Sequence, residues 1–331
     1  MDNYTSARRR PFCNVVDGVP RCPFAVPERM RRAVKFVPQK GDLLEVTYPK
    51  SGTHWVQYVM QLILREGGSI ENYEEFIGAS VFIEYYDVRW ERCLPSSPFR
   101  TFITHIPISR DKFNPDAKYI YVARNPWDVC VSFYYHVKTL SYYDFQDGSF
   151  DDFLDVFLQG DFGYGDYFDH VASAYSLRNE PNVLFLTYEE LKRDMESTVI
   201  RMAKFLGERH SSMLDQDCED GRNRLQLILE RAKAENMRKA MEIDLVNSER
   251  AELKTRMREL NATSNASLVR ETTHFNLVRE GNVGGWKKHF NHDQLQRMEA
   301  AIAERTRGSD FMDLWADIRL EAFHLANQLC R

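Results

Sequence analysis

Apolar residues along this chain recur in two rhythms. Leu43-Leu44-Glu45-Val46-Thr47-Tyr48 is a short, almost continuous apolar run of the kind a buried strand needs. After Pro49-Lys50-Ser51-Gly52, apolar residues return at Trp55, Val56, Val59, Met60, Ile63 and Leu64. That spacing predicts a helix with one apolar side, stopped by Gly67-Gly68. The strand, turn and helix unit repeats its form, though not its sequence, at residues 119–123, where Arg124-Asn125-Pro126 leads into a helix over about 127–140. Pro126 suits a first helical turn, where its missing N–H has no bond to make. A third strand is expected over 182–187, with a helix starting near Tyr188. Residues 222–260 are highly charged with helical spacing and little strand signal, 261–274 read as an exposed polar loop, and helices over about 293–307 and 311–328 close the chain. Strands alternating with helices predict a parallel sheet covered on both faces, with ligands beyond the strands' C-terminal ends. No linker divides the sequence. The expected fold class is α/β, a single domain with a central parallel sheet flanked by helices.

Composition narrows the partners. The chain has 331 residues and a net charge of −5, so nucleic acid and anionic membranes, which call for a basic excess, are not expected partners. An anionic small ligand remains open, because its charge is met locally. The basic start of the chain lacks the apolar core of a secretory signal, and the apolar stretch from Trp55 to Leu64 is too short to span a bilayer. A soluble, cytoplasmic protein is expected. Six cysteines are scattered without Cys-x-x-Cys spacing, so neither a zinc site nor a disulfide framework is indicated.

The turn at 48–55, YPKSGTHW, hands a strand over to a helix. The first N–H groups of a helix lack internal partners and carry the positive end of its dipole, so such a turn can hold an anion. Gly52 permits close backbone approach and Lys50 adds a cation. The order Lys-Ser-Gly-Thr differs from the nucleoside-triphosphate loop, in which Gly-Lys-Ser/Thr comes last. Together with YVARNPWDVCVSFYYH at 121–136 and VREGNVGGWKKHF at 278–290, the turn resembles the phosphosulfate- and 3′-phosphate-binding segments of the cytosolic sulfotransferases, in their order and spacing. The resemblance runs from about residue 40 to 315, with the flavour of an arthropod, tick-like member. It implies a sulfotransferase domain over 41–331, including a P-loop-like strand-loop-helix, behind an N-terminal surface segment, 1–40.

The resemblance implies sulfonate transfer from 3′-phosphoadenosine 5′-phosphosulfate (PAPS) to a small hydroxylated acceptor, leaving 3′-phosphoadenosine 5′-phosphate (PAP), without a metal. Ser51, Gly52, Thr53 and His54 would grip the 5′-phosphate and Lys50 the bridging oxygen, stabilising charge on the departing nucleotide. Trp55 and Tyr188 would hold adenine, and Arg124, Ser132, Arg279 and Gly281 the 3′-phosphate. His105 would be the base. A neutral imidazole, ordinarily near pKa ~6.5, can take a phenol's proton as the oxygen attacks sulfur. Aromatic residues at 81–90 and 142–145, namely Phe82, Tyr85, Tyr86, Tyr142 and Tyr143, are expected around a phenol or phenolic amine, with Glu84 or Asp87 as counter-charge.

The sequence departs from the family pattern at several points. His54 stands for a threonine, Ile103 for a lysine two residues before the base, and Glu280 for a lysine in the 3′-phosphate loop. Ala234 stands for an aromatic residue, while the neighbouring Lys233 offers charge. In the expected dimer segment, 287–296, only Lys287 survives, which favours a monomer or a weak homodimer. These departures leave a second reading, a catalytically inactive nucleotide or small-aromatic binder.

Overall fold

The computed structural model describes residues 9–23, 25–85, 97–218, 221–244, 274–276 and 281–329. Its centre is a five-stranded sheet built from β3 (Asp42–Thr47), β4 (Val81–Phe82), β5 (Arg100–Thr104), β6 (Lys118–Ala123) and β7 (Val183–Thr187). The spatial order is β4-β5-β3-β6-β7 and every pairing is parallel. The three strands expected from apolar runs are all present. β4 and β5 carry no such run: one is two residues long and the other reads Arg-Thr-Phe-Ile-Thr.

Alternation along the strands loads both faces. Leu44 and Val46 of β3, with Tyr119 and Tyr121 of β6, join the larger core. Leu43, Ile120 and Val122 join a second core on the opposite face. Apolar burial on both sides is what makes a central parallel strand read as a continuous run. Helix α2 (Thr53–Leu64) covers the second face, and α4 (Pro126–Thr139), α5 (Phe150–Gln159) and α6 (Tyr167–Tyr175) contribute to the first. After β7 come α7 (Tyr188–Arg193) and α8 (Met195–Leu206), and the chain closes with α12 (His292–Arg305) and α13 (Ala316–Leu329). The hairpin of β1 (Asn14–Val16) and β2 (Val19–Arg21) and helix α1 (Pro27–Val34) form a small cluster of Val16, Cys22, Ala25 and Met30 that packs on Tyr85, Ile106 and Tyr164.

The charged stretch after 222 forms two short helices, α10 (Arg224–Arg231) and α11 (Ala234–Ala240). It then gives a strand that the sequence pattern does not announce, β8 (Glu242–Asp244), paired antiparallel with β9 (His274–Asn276). The loop expected over 261–274 lies, but for its last residue, outside the described residues. Among the described residues no helix is long and apolar enough to cross a membrane.

Candidate active site

Four parallel strands deliver the candidate residues at their C-terminal ends: β3 leads to the turn at 48–52, β5 to His105, β6 to Arg124 and β7 to Tyr188. Parallel pairing alone brings these segments, far apart in sequence, to one edge of the sheet.

The turn after β3 is conformationally demanding. Lys50 has φ 70° and Gly52 φ 112°, left-handed values that cost a non-glycine residue on the order of 1 kcal/mol or more. Ser51 N–H donates to the Tyr48 carbonyl at 3.2 Å, and α2 begins at Thr53. The side chain of Ser51 is fully buried, and its Oγ has no partner among the described residues. A buried hydroxyl left without a bond is costly in a finished structure, and it fits a turn that receives an oxyanion. His54 packs against Phe76, with ring centroids 5.9 Å apart. Burial, and then Lys50, lower its pKa to about 4, so the imidazole is neutral near pH 7.

Gly52 also meets a neighbour. A Cβ added there would lie 2.8 Å from Cδ2 of Tyr188, a ring held by Trp55 at 5.2 Å and by the Arg124 guanidinium 4.3 Å from its centroid. Gly52→Ala is therefore expected to lower stability by ~1–3 kcal/mol and to weaken nucleotide binding about tenfold or more. Urea melts and a PAP titration check both. Unchanged PAP affinity would show that the ring can move freely.

Arg124 joins the pieces. One end of its fork donates to the Lys50 carbonyl at 3.2 Å and the other to the Asn282 carbonyl at 2.8 Å. It also lies 3.8 Å from Asp128. Its Nε, buried, has no partner among the described residues, so the guanidinium fixes two loops and keeps one donor for something else. Asn125 caps α4, donating from Nδ2 to Glu189 at 2.6 Å, and the other oxygen of Glu189 accepts from Trp315 Nε1 at 2.8 Å. Asp128 accepts from the backbone of Gly284 at 2.8 Å and of Trp286 at 3.1 Å, docking the glycine loop on α4. Gly281 has φ 68°, and a Cβ there would come 3.5 Å from Tyr188 Oη. Ser132 lies half-buried in α4. Arg279 and Glu280 lie outside the described residues. Ala234 opens α11 on the exposed surface, and Lys233 is paired with Glu230, which raises its pKa and spends its charge locally.

His105 follows β5 directly. Its Nδ1 lies 2.8 Å from the Thr47 carbonyl and 3.2 Å from Thr47 Oγ1. A carbonyl only accepts, so Nδ1 carries the ring proton and Nε2 holds a lone pair. The same Thr47 Oγ1 is 2.6 Å from Thr53 Oγ1, so the imidazole and the anion turn belong to one hydrogen-bonded unit. The backbone of His105 is fixed as well. Its N–H donates to Glu84 at 2.5 Å, and its carbonyl accepts from His170 Nε2 at 3.0 Å, while Tyr121 donates to His170 Nδ1 at 2.8 Å. Burial lowers the His105 pKa to about 3 and pushes Glu84 up to about 7.

Aromatic rings surround the imidazole. Phe82 and Tyr164 each stand 5.0 Å from it, edge-on, and Tyr85 is hydrogen-bonded to Tyr164 through their hydroxyls. Tyr143 packs away from it, against Phe162 and His136, and Tyr142 is buried in the larger core. Tyr86 and Asp87 lie outside the described residues. Tyr164 was not singled out from sequence. Its signal is the pair of flanking glycines, Gly163 and Gly165, with φ 61° and 84°, a tight turn that pushes one tyrosine forward. Ile103 is buried in β5, 2% exposed and in register with Glu45, so no cation reaches the site from that position. Among the described residues no group of three or more His, Cys, Asp or Glu is arranged to hold a metal.

A parallel sheet whose strand ends gather a left-handed turn, an arginine fork and a buried imidazole defines an α/β protein with one composite site at that edge. The chain matches the sulfotransferase domain over residues 40–310 and belongs to that family. It is 30% identical over 285 residues to the 3-alpha-hydroxysteroid sulfotransferase of Cavia porcellus, covering 83% of this chain and 86% of that one. It is 31% identical over 279 residues to sulfotransferase 2B1 of Mus musculus, covering 81% and 72%. Among solved structures, mouse sulfotransferase SULT7A1 complexed with PAP superposes with TM-score 0.61 at 25% identity, covering 90% and 96% of the two chains. Retinol dehydratase in complex with androsterone and PAP superposes with TM-score 0.61 at 20% identity, covering 87% and 88%, a likeness that concerns the fold.

Proposed function

We propose that this sulfotransferase uses PAPS as donor and a small phenol or phenolic amine as acceptor, working in the cytoplasm as a monomer or weak homodimer. The observation that carries this reading is the shared Thr47, which ties the bare imidazole of His105 to the first residue of the anion-binding helix. A base and a donor turn coupled in this way can act on opposite sides of one sulfur atom. The orphaned Ser51 Oγ and Arg124 Nε are the partners a doubly phosphorylated nucleotide would satisfy.

PAPS supplies the activated sulfonate. Thr53 and the turn around Ser51 and Gly52 bind its 5′-phosphate, Lys50 neutralises charge on the bridging oxygen, and Trp55 with Tyr188 clasps adenine. Arg124, Ser132, Arg279 and Gly281 hold the 3′-phosphate. The acceptor oxygen bonds to sulfur while the bond from sulfur to the bridging oxygen breaks, its electron pair remaining on PAP. The acceptor proton goes to His105 Nε2. Phe82, Tyr85 and Tyr164 supply a ring-lined slot for a flat acceptor. Glu84 is fully buried, with its pKa pushed up to about 7 and one oxygen without a partner among the described residues, so it serves an acceptor amine only if that amine displaces the packing around it. Lys287, the residue kept from the dimer segment, pairs with Glu321 of its own chain at 2.6 Å, in favour of the monomer.

Purified protein given PAPS carrying labelled sulfonate is expected to label simple phenols and phenolic amines in preference to steroids. Preference for a steroid would overturn the acceptor assignment. Tight PAP binding with no transfer to any phenol, amine or steroid would favour the inactive binder instead.

A further inference from the structure

Beside the donor cradle lies an open cavity of about 490 Å³ that none of the roles above uses. Its lining includes Lys192, Asn282, Gly284, Lys288 and His289, and it contains no carboxylate. Two lysines bordering one space, with no carboxylate beside them among the described residues, make a site for an anion. Among the described residues neither lysine is ion-paired with a carboxylate, whereas Lys287 next door is.

Two contacts join this cavity to the nucleotide residues. Lys192 Nζ stands 5.2 Å from the centre of the Trp55 ring. The Asn282 carbonyl at the cavity wall is held by the Arg124 fork at 2.8 Å. Burial, and then the positive charges of Arg124 and Arg238, hold the Lys192 ammonium below the usual lysine range. Cations have been gathered here at a cost that a bound anion would relieve. The glycine loop meanwhile carries Glu280, an acidic residue in the segment expected to meet phosphate.

We propose that Lys192 and Lys288 bind the 3′-phosphate of the donor nucleotide and so supply the positive charge that Glu280 does not. The inference rests on the donor assignment above and names two residues that assignment leaves out. Lys192 would reach the phosphate from beside Trp55, and Lys288 from elsewhere in the lining of the same cavity. These two side chains then add to Arg124, Ser132, Arg279 and Gly281 in discriminating 3′-phosphorylated from plain adenine nucleotides.

The test is calorimetric titration of PAP and of adenosine 5′-phosphate, which lacks the 3′-phosphate, into wild type, Lys192→Gln, Lys288→Gln and the double variant. Each single change is expected to weaken PAP about tenfold, and the double change about a hundredfold, as for loss of charged hydrogen bonds. Adenosine 5′-phosphate should move less than twofold, and Lys192→Arg should restore most of the PAP affinity. Unchanged PAP affinity in the double variant overturns the proposal, as does equal weakening of both nucleotides, which would mean Lys192 acts through Trp55 on adenine. Wild type that binds no PAP would instead sink the donor assignment itself. Thermal melts of each variant separate a binding loss from misfolding.

Discussion

His105→Ala is expected to lower sulfonate transfer by about a thousandfold, within the 10²–10⁴ range for loss of a general base, while PAP affinity changes less than threefold. The reason is positional. The lone pair of Nε2 exists because Nδ1–H is committed to the Thr47 carbonyl, and the adjacent His170 is not free to replace it. His170 has both nitrogens engaged, one with Tyr121 and one with the His105 carbonyl. The backbone bonds of His105 to Glu84 and His170 survive the substitution, so the fold should too. The pH profile adds a second readout. The base must be neutral to accept a proton, so activity falls as pH drops through its pKa, which burial has lowered to about 3. For the free enzyme, kcat/KM should therefore show no acid limb from this group between pH 5 and 8. A limb near 6.5 that vanishes in His105→Ala would contradict the burial account, and undiminished turnover in the variant would remove His105 as the base.

The second large effect is on stability, and it concerns Glu45. This side chain sits fully buried in the central strand, between Ile103 of β5 and Ile120 of β6, and both its oxygens lack partners among the described residues. Burial raises its pKa well above 4.5, so folding favours the protonated, neutral carboxyl. Glu45→Ile removes an unsatisfied polar group and adds apolar burial, for a gain of about 2–4 kcal/mol. The pH sign follows from the raised value. Below pH 4.5 folded and unfolded states are both protonated and nothing is lost. As pH rises the unfolded chain ionises first, and stability declines by up to about 1.4 kcal/mol per pH unit until the folded value is passed. Denaturant melts between pH 4.5 and 8 should show this decline in wild type and its disappearance in both Glu45→Ile and Glu45→Gln. A less stable isoleucine variant, or equal slopes in all three proteins, would refute the account.

Glu45 also shows where sequence reading works and where it stops. Leu-Leu-Glu-Val-Thr reads as a strand because apolar neighbours outweigh one acidic residue, and a strand it is. Nothing in the pattern tells that the carboxyl has no partner, since that depends on Ile103 and Ile120 arriving from two other strands. The strand-end positions were legible for the opposite reason. Lys50, Arg124 and Tyr188 each follow a strong apolar run, and parallel topology carries such positions to a common edge. The ring cluster around His105 was less so. Phe82 and Tyr85 come from a segment with a two-residue strand, and Tyr164 comes from a glycine turn with no periodicity at all. The Arg124 fork, which spends two donors on the carbonyls of Lys50 and Asn282, depends on side-chain direction, and sequence spacing does not encode it.

Trp315 is fully buried and donates to Glu189, the carboxylate that also fixes Asn125 at the start of α4. It lies five residues past the stretch matched to the sulfotransferase domain, which ends at 310. Trimming the polypeptide at that boundary would strip a tether from the helix that Arg124 leads into. The tail thus belongs to the catalytic scaffold, and anyone shortening the protein for crystallisation or fusion should retain it.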